Sequence, residues 1–542
     1  MDPATAVISA VSLLAAFKGA VDGYTMLADI FASDPGLNYE ALLYNIEQII
    51  FWTWGERMKI SHSKACLLNK EPLLIQEAIG RIIAEIVATN DKASEWVAKK
   101  YRIEPIAAKQ SASTTKDFDV NSPWIAGLKD QRYKLKRLHR ITWVLDDKNH
   151  FQQINQKLAT LNQKLYHLVG AYNETRLVTA ISDKLDPRLS LKTLSAGGNQ
   201  ESPTLLGLVS RLQSVQEEDV ETASARVHCI ETECIQHLED VDKNGSIRRT
   251  LAIYQPRAQL PETVLLEWKQ FDVASHDQSE LIKRLRALGT LLSTGNAHEF
   301  HRLDCVGIFD DKDYEKRFKG SRRIALMYKL PRSPRLPRQP ISLLDILKAA
   351  KEDRTRPPLG RRFELAYNLA SAMSLFHAAK WLHKSFRSDC IVFPGGADSI
   401  TEPAIVGFQY SRPAGDASLE TASLVHSELQ VYNHPSVGTG WTKAKEIYSL
   451  GIVLLEIAYW RPIFEEKYRK MTASEVAVAL KGEVDGKFGQ DLEGTVGEML
   501  MSAVRWCLSC PSEYSSLNSQ GTAGLSTLFF QNVVEPLSML KA

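Results

Sequence analysis

The 542-residue chain is poor in cysteine: its seven cysteines are odd in number and scattered. Such usage excludes a disulfide framework and fits a reducing, intracellular compartment. A charge excess is also missing, since 66 basic residues against 64 acidic ones leave a net +2. That balance argues against a nucleic-acid binder relying on bulk positive charge. No long hydrophobic run is present. The most apolar stretch, Ala4 to Phe17 (ATAVISAVSLLAAF), ends at Lys18, short of the about 20 residues that a spanning helix needs. Asp2 stands where a secretory signal would be basic, and Asp22 and Asp29 fall in the region of a cleavage site, so no signal peptide is expected. Neither GxSxG nor HExxH occurs to organise the serines and histidines into a hydrolase site. What remains is a globular composition, 44% hydrophobic and 24% charged, with a length that allows roughly two to four compact units.

Three apolar stripes at helical spacing come first. Tyr39, Leu42, Leu43, Ile46, Ile49 and Ile50 lead into FWTWGERMKI (51–60), where Gly55 is expected to stop the helix. Ile75, Ile79, Ile82, Ile83, Ile86 and Val87 follow Pro72. Phe151, Ile154, Leu158, Leu161, Leu165 and Leu168 alternate steps of three and four, as a bundle seam does. No strand-like alternation of any length precedes about residue 240, so residues 1–220 are expected to form an all-α bundle. Inside it, Glu104 to Pro123 reads as a loop, and KDQRYKLKRLHR gathers Lys129, Arg132, Lys134, Lys136, Arg137 and Arg140 against the single acid Asp130. Near an anionic leaflet such residues are worth about 1 kcal/mol each, and a solvated helix face is the plainer alternative.

The uncharged start, the tripeptide Trp54-Gly55-Glu56 and the block WVLDDKNHFQQINQKLATLNQKLYHLV (143–169) resemble the fungal HeLo, or prion-inhibition and propagation, domain. The resemblance implies a helical bundle whose first helix, here roughly Val7 to Ile30, is released into membranes during heterokaryon incompatibility and related cell death. Val7, Val11, Leu13, Leu14 and Phe17, with the six basic residues of 129–140, are then the candidate membrane contacts.

GGNQESP (197–203) punctuates the end of the bundle, and residues 221–245 read as a charged helical linker. Strand-length runs follow at Thr263 to Leu266, Asp304 to Phe309 and Arg323 to Leu330, with a helical stripe at Leu281, Leu285, Leu288 and Leu292. A helix through Leu365, Leu369, Ala372, Met373 and Phe376 then leads to WLHKSFRSDCIVF, AIVGFQYSR, YNHPS, EIYSLGIVLLEIAYWRPIF and RWCLSCP. In this order the segments resemble a protein kinase domain, implying an α+β bilobal fold over residues 246–542 of a multidomain chain.

The resemblance also locates what phosphoryl transfer requires. His383 matches the catalytic-loop histidine, but Ser385 stands at the aspartate position, Cys390 at the magnesium asparagine, Gly407 (before Phe408) at the metal-binding aspartate and Glu267 at the strand lysine. No Gly-rich loop lies between Asn244 and Thr263, and Glu280 has no lysine to pair with. A thiol is a poor ligand for a hard cation. Lys269 and Asp389 are the weak substitutes. The reading is a pseudokinase without catalysis, cofactor or metal site that regulates a membrane-targeting bundle. It would meet anionic lipid, self-associate on activation, answer to an upstream sensor, bind no nucleic acid, and move from the cytoplasm to the plasma membrane. An atypical kinase that binds ATP and a non-lytic signalling scaffold are the alternatives. Two further motifs have plain explanations. Pro331, Pro334, Pro337 and Pro340, three residues apart with arginines between, suit a stiff polyproline connector, a partner site being the sharper reading. Cys507 and Cys510 form a lone CxxC without further zinc ligands.

Overall fold

The computed structural model describes residues 17, 19–21, 38–60, 66–100, 145–169, 174–185, 189–191, 194, 205–236, 249–256, 260–272, 278–294, 298–331, 340–408, 412–413, 427–435, 441–510 and 524–540. Val7, Val11, Leu13, Leu14, the basic run 129–140 and residues 332–339 of the proline segment lie outside them. The chain divides into two compact units, Met1–Gly198 and Asn199–Ala542.

The first unit is helical. It contains α1 (Asn38–Arg57), α2 (Leu73–Lys100), α3 (Leu145–Val169) and α4 (Glu174–Lys184). The three apolar stripes become its core: Leu42, Ile46 and Ile49 of α1, Ile79, Ile83 and Ile86 of α2, and Phe151, Ile154, Leu158, Leu161 and Leu165 of α3 are buried. Polar side chains of α3 stitch it to backbone carbonyls of α1. Asn155 Nδ2 donates to Glu40 O (3.0 Å), Asn162 Nδ2 to Glu47 O (3.0 Å) and Tyr166 Oη to Ile50 O (3.1 Å). Both partners' numbers rise together, so α1 and α3 run parallel. Each bond also answers a polar group that burial would otherwise leave unpaired.

Gly55 does not end α1, contrary to the sequence expectation. The helix continues to Arg57 and stops in a Schellman arrangement: Lys59 takes φ 53°, its N–H bonds Glu56 O (3.0 Å), and Ile60 N–H bonds Gly55 O (3.1 Å). Gly55 has a packing role instead. A Cβ there would lie 1.9 Å from Phe17 Cζ, so only glycine admits the Phe17 ring, which is 4% exposed and 4.9 Å from the Phe51 ring.

The second unit starts earlier than residue 246. Helix α5 (Leu205–Gln216), expected in the bundle, buries Leu205, Leu208, Val209 and Leu212, and its amides reach into the later sequence: Gln213 Nε2 donates to Ala378 O (2.7 Å) and Gln216 Nε2 to Ala379 O (3.0 Å). The stretch expected as a helical linker holds α6 (Val220–Ala225), capped by Asp219, and two short strands, β1 (Cys229–Ile230) and β2 (Ile235–Gln236). Two-residue strands leave no periodicity to read, yet they form the two edges of the sheet. With β3 (Arg249–Tyr254), β4 (Glu262–Asp272), β5 (Asp304–Asp310) and β6 (Ser321–Lys329), the order is β1-β5-β6-β4-β3-β2, antiparallel except for β1 and β5. The helix α7 (Gln278–Ser293) connects β4 to β5, and α8 (Lys312–Arg317) connects β5 to β6.

Beyond β6 the unit is mainly helical. After β7 (Ile341–Ser342) come α9 (Leu343–Asp353), started by a Ser342–Asp345 capping box, and α10 (Leu359–Ala378), in which Leu365, Leu369, Ala372, Met373 and Phe376 are buried as the stripe predicts. Short strands β8 (Trp381–Leu382), β9 (Ile391–Phe393), β10 (Ala404–Ile405) and β11 (Arg412–Pro413) frame the next loops. Then follow α11 (Lys443–Tyr459), whose Ala444–Ala458 is buried throughout, α12 (Ala473–Asp485), α13 (Lys487–Val496) and α14 (Glu498–Leu508).

Candidate functional site

The sequence-derived positions meet between β3 and β4 on one side and the loops around β9 and β10 on the other. Cross-strand register puts Arg249 directly opposite Glu267, and the side chains pair at 3.2 Å (Nε to Oε1) with Glu267 fully enclosed. Glu267 Oε2 also accepts the Gly407 N–H (3.0 Å) and the Tyr328 hydroxyl (3.3 Å). Arg249 reaches further and donates from Nη1 to the Asp389 carbonyl at 2.6 Å. A buried carboxylate of this kind holds only when its acceptors are matched, as both oxygens of Glu267 are here.

The loop side is equally committed. His383 lies within 2.8 Å of Val406 O through Nε2, while its Nδ1 accepts the Ser385 N–H at 3.3 Å. These bonds fix the neutral, Nε2-protonated tautomer, and burial pushes the ring's pKa down. Cys390 Sγ contacts Ser385 O at 3.2 Å, and burial pushes the thiol up to about 12. It is therefore a neutral, enclosed thiol and not a thiolate ligand. Gly407 takes φ +92°, and a Cβ there would meet Cys390 Sγ at 2.6 Å. Phe408 packs 4.8 Å from His383 and 5.2 Å from Trp381.

The two substitutes are placed but differently occupied. Lys269 is buried two residues along β4 on the face of Glu267. Asp389 gives its carboxylate to Arg387 in a forked pair, Nε–Oδ1 2.8 Å and Nη2–Oδ2 3.1 Å. Glu280 pairs with Arg284 one turn along α7 at 2.8 Å. Beneath the loops, Glu446 accepts the Lys384 N–H (2.5 Å) and contacts His377 Nε2 (3.1 Å). Glu456 collects Tyr432 Oη (3.0 and 2.9 Å), Ile463 N–H (3.0 Å) and Ser388 Oγ. Burial raises the Glu456 carboxyl to about 7 against the lowering effect of those bonds. The sequence reading missed Arg249, Tyr328 and the roles of Glu446 and Glu456. For Arg249 only a partial signal existed: RTLAIY has strand length and a carboxylate at 267 calls for a cation across a ladder, but which residue faces it depends on register.

A phosphate brought against β4 would meet Glu267, with Arg249 already engaged by it. Among the described residues no group of three or more His, Cys, Asp or Glu could hold a metal ion, and no helix is long and apolar enough to cross a membrane. The CxxC thiols Cys507 and Cys510 are buried and unoxidised, burial raising both, Cys510 to about 12.

Two family models match the sequence: HeLo, described as prion-inhibition and propagation, over residues 5–195, and a domain of unknown function (DUF7580) over residues 266–540. No curated protein matches it.

Proposed function

Because the chain belongs to the family described as domain of unknown function (DUF7580) and also carries a HeLo match, we propose a fungal cell-death protein of the incompatibility type. In this reading the second unit is kinase-shaped but catalytically silent, and it restrains a HeLo bundle that acts on anionic membrane lipid. The protein would wait in the cytoplasm, answer to an upstream sensor, and self-associate at the plasma membrane.

The observation that carries the silent reading is the Arg249–Glu267–Gly407 constellation. Where phosphoryl transfer needs a cation for the phosphates and a carboxylate for the metal, this unit has the charges exchanged: the carboxylate sits on β4, and the metal position is a backbone N–H bonded to it. The order of a six-stranded sheet with α7 joining β4 to β5, followed by a helical half built on the buried α11, supports the kinase-shaped reading. For the bundle, Phe17 seated on Gly55 and Ala20 O accepting from Asn90 Nδ2 (3.4 Å) are the contacts that, in this reading, a signal has to break.

The test uses the full chain. Wild type and Gly55→Leu are mixed with dye-loaded liposomes containing anionic lipid, and radiolabelled phosphate transfer is assayed in parallel. Faster release by Gly55→Leu and no transfer are expected. Absence of liposome binding and release in both proteins defeats the membrane reading, and transfer that disappears in Asp389→Ala defeats the silent one.

A further inference from the structure

Between residues 348 and 361 the chain passes from the end of α9 into α10. Five exposed cations, Lys348, Lys351, Arg354, Arg356 and Arg361, stand there against the exposed acids Glu352 and Asp353. Elsewhere on the second unit exposed cations find carboxylates: Lys283 pairs with Glu221 (2.8 Å), Lys316 with Asp313 (2.9 Å) and Lys467 with Glu483 (2.7 Å). At this corner Lys351, Arg354 and Arg356 make no ion pair among the described residues, and Arg361 reaches a backbone oxygen, that of Asp398 (3.4 Å).

The corner is held still from beneath. Arg362, 5% exposed, donates from Nη1 to Ala458 O (3.0 Å) and Ile457 O (3.4 Å), which bolts the first turn of α10 to the last turn of α11. Burial, and then the nearby Arg356 charge, hold the Arg362 guanidinium below its usual pKa, so positive charge is crowded here. Pro357 and Pro358 stiffen the approach to the helix. Pro358 at the N-cap has no side-chain acceptor to offer the first N–H groups of α10, those of Leu359, Gly360 and Arg361.

Unpaired guanidinium groups beside helix-start N–H groups suit an anion with several oxygens. A carboxylate has two oxygens, whereas a phosphate monoester has three acceptors and about two charges at neutral pH. The cations closest in sequence to the start of α10, Arg354, Arg356 and Arg361, are all arginines, whose planar fork bonds phosphate oxygens in pairs where lysine acts as a point charge. That choice favours a discrete phosphoryl group over the diffuse attraction of a charged lipid surface.

We propose that the α9–α10 corner is a docking surface for a phosphorylated segment of a partner protein, its phosphoryl oxygens accepting from Arg356, Arg361 and the first N–H groups of α10. Arg354, on the α9 side, extends the same surface toward neighbouring acidic residues of the partner.

The experiment is fluorescence anisotropy of the full chain, at low salt and about pH 7.5, where the phosphate is mainly dianionic. The probes are a short labelled phosphoserine peptide and a peptide of equal charge in which glutamates replace the phosphoserines. The phosphopeptide is expected to bind at least about tenfold more tightly, because its oxygens engage the guanidinium forks in pairs. Arg356→Gln combined with Arg361→Gln should remove that preference. Arg356→Lys, which keeps the charge without the fork, should lose most of it, and Lys283→Gln on α7 should leave it unchanged. All these side chains are exposed, so the variants should keep the fold, which circular dichroism checks. Equal binding of the two peptides, a preference that survives the double substitution, or binding to phosphatidylserine vesicles in a flotation assay without binding of the phosphopeptide, overturns the proposal.

Discussion

Glu267 Oε2 accepts the backbone N–H of Gly407 at 3.0 Å, joining residues 140 positions apart in the sequence. The same carboxylate holds Arg249, which in turn holds the Asp389 carbonyl. The sheet is therefore tied to the loops beneath it by a side-chain network.

That network predicts a large response to its removal. Glu267→Ala strands the Arg249 guanidinium in a mostly enclosed site, and breaking a buried pair from one side costs about 3–5 kcal/mol. Urea unfolding of the second unit should shift by that amount. Glu267→Lys should be worse, since it sets two cations against each other, and titration with a fluorescent nucleotide should stay flat.

Placing at 407 the carboxylate that the kinase resemblance asks for should fail for steric reasons. Gly407→Asp asks a side chain to occupy φ +92° and to share space with Cys390 Sγ, and backbone strain of this kind alone costs about 1–3 kcal/mol. Lower thermal stability with no magnesium binding by calorimetry is the expected result.

Gly55→Ala tests the seat of Phe17 through the sign of its effect. In an open helix the change would stabilise by about 0.5–1 kcal/mol. Here the new methyl group meets the Phe17 ring, so a loss of about 1–3 kcal/mol is expected, as for other overpacked sites. Combined with Phe17→Ala, the same substitution should become neutral or favourable, and a double-mutant cycle by thermal unfolding reads the difference.

Glu456 sets a pH dependence. Its folded pKa, about 7, lies above the ordinary 4.5 because of burial. The folded state therefore binds the proton more tightly than the unfolded one. The contribution is fully present below about 4.5 and is lost as pH rises to about 7, at up to about 1.4 kcal/mol per pH unit. Glu47 carries the same sign. Denaturation between about pH 5 and pH 8 should show falling stability, with a shallower slope in Glu456→Gln.

How far the sequence reveals this molecule depends on the length of each signal. The stripe from Phe151 to Leu165 is legible because its period repeats several times, and the strand at Asp304–Asp310 because its apolar run has strand length. Cys229–Ile230 and Ile235–Gln236 are too short to carry a period, and only long-range pairing makes them strands. Gly55 was misjudged because a glycine inside a helix looks like a stop until the ring that needs its missing side chain is known. Around β4 and the loops at β9 and β10, the kinase resemblance singled out Glu267, Ser385, Cys390 and Gly407, and the structure brings these residues together. The resemblance did not reveal that Arg249 completes them, since that depends on strand register.

Helix α5 has a consequence for the history of such chains. Its glutamines close off the end of α10 at Ala378 and Ala379, so the first helix after the bundle is already part of the second unit's interior. A recombination event between residues 199 and 204 would transfer either module with its core whole. One at residue 220 would carry away a helix that the recipient has no groove to receive. Exchange of the bundle for another domain is thus physically permitted only on the near side of Leu205.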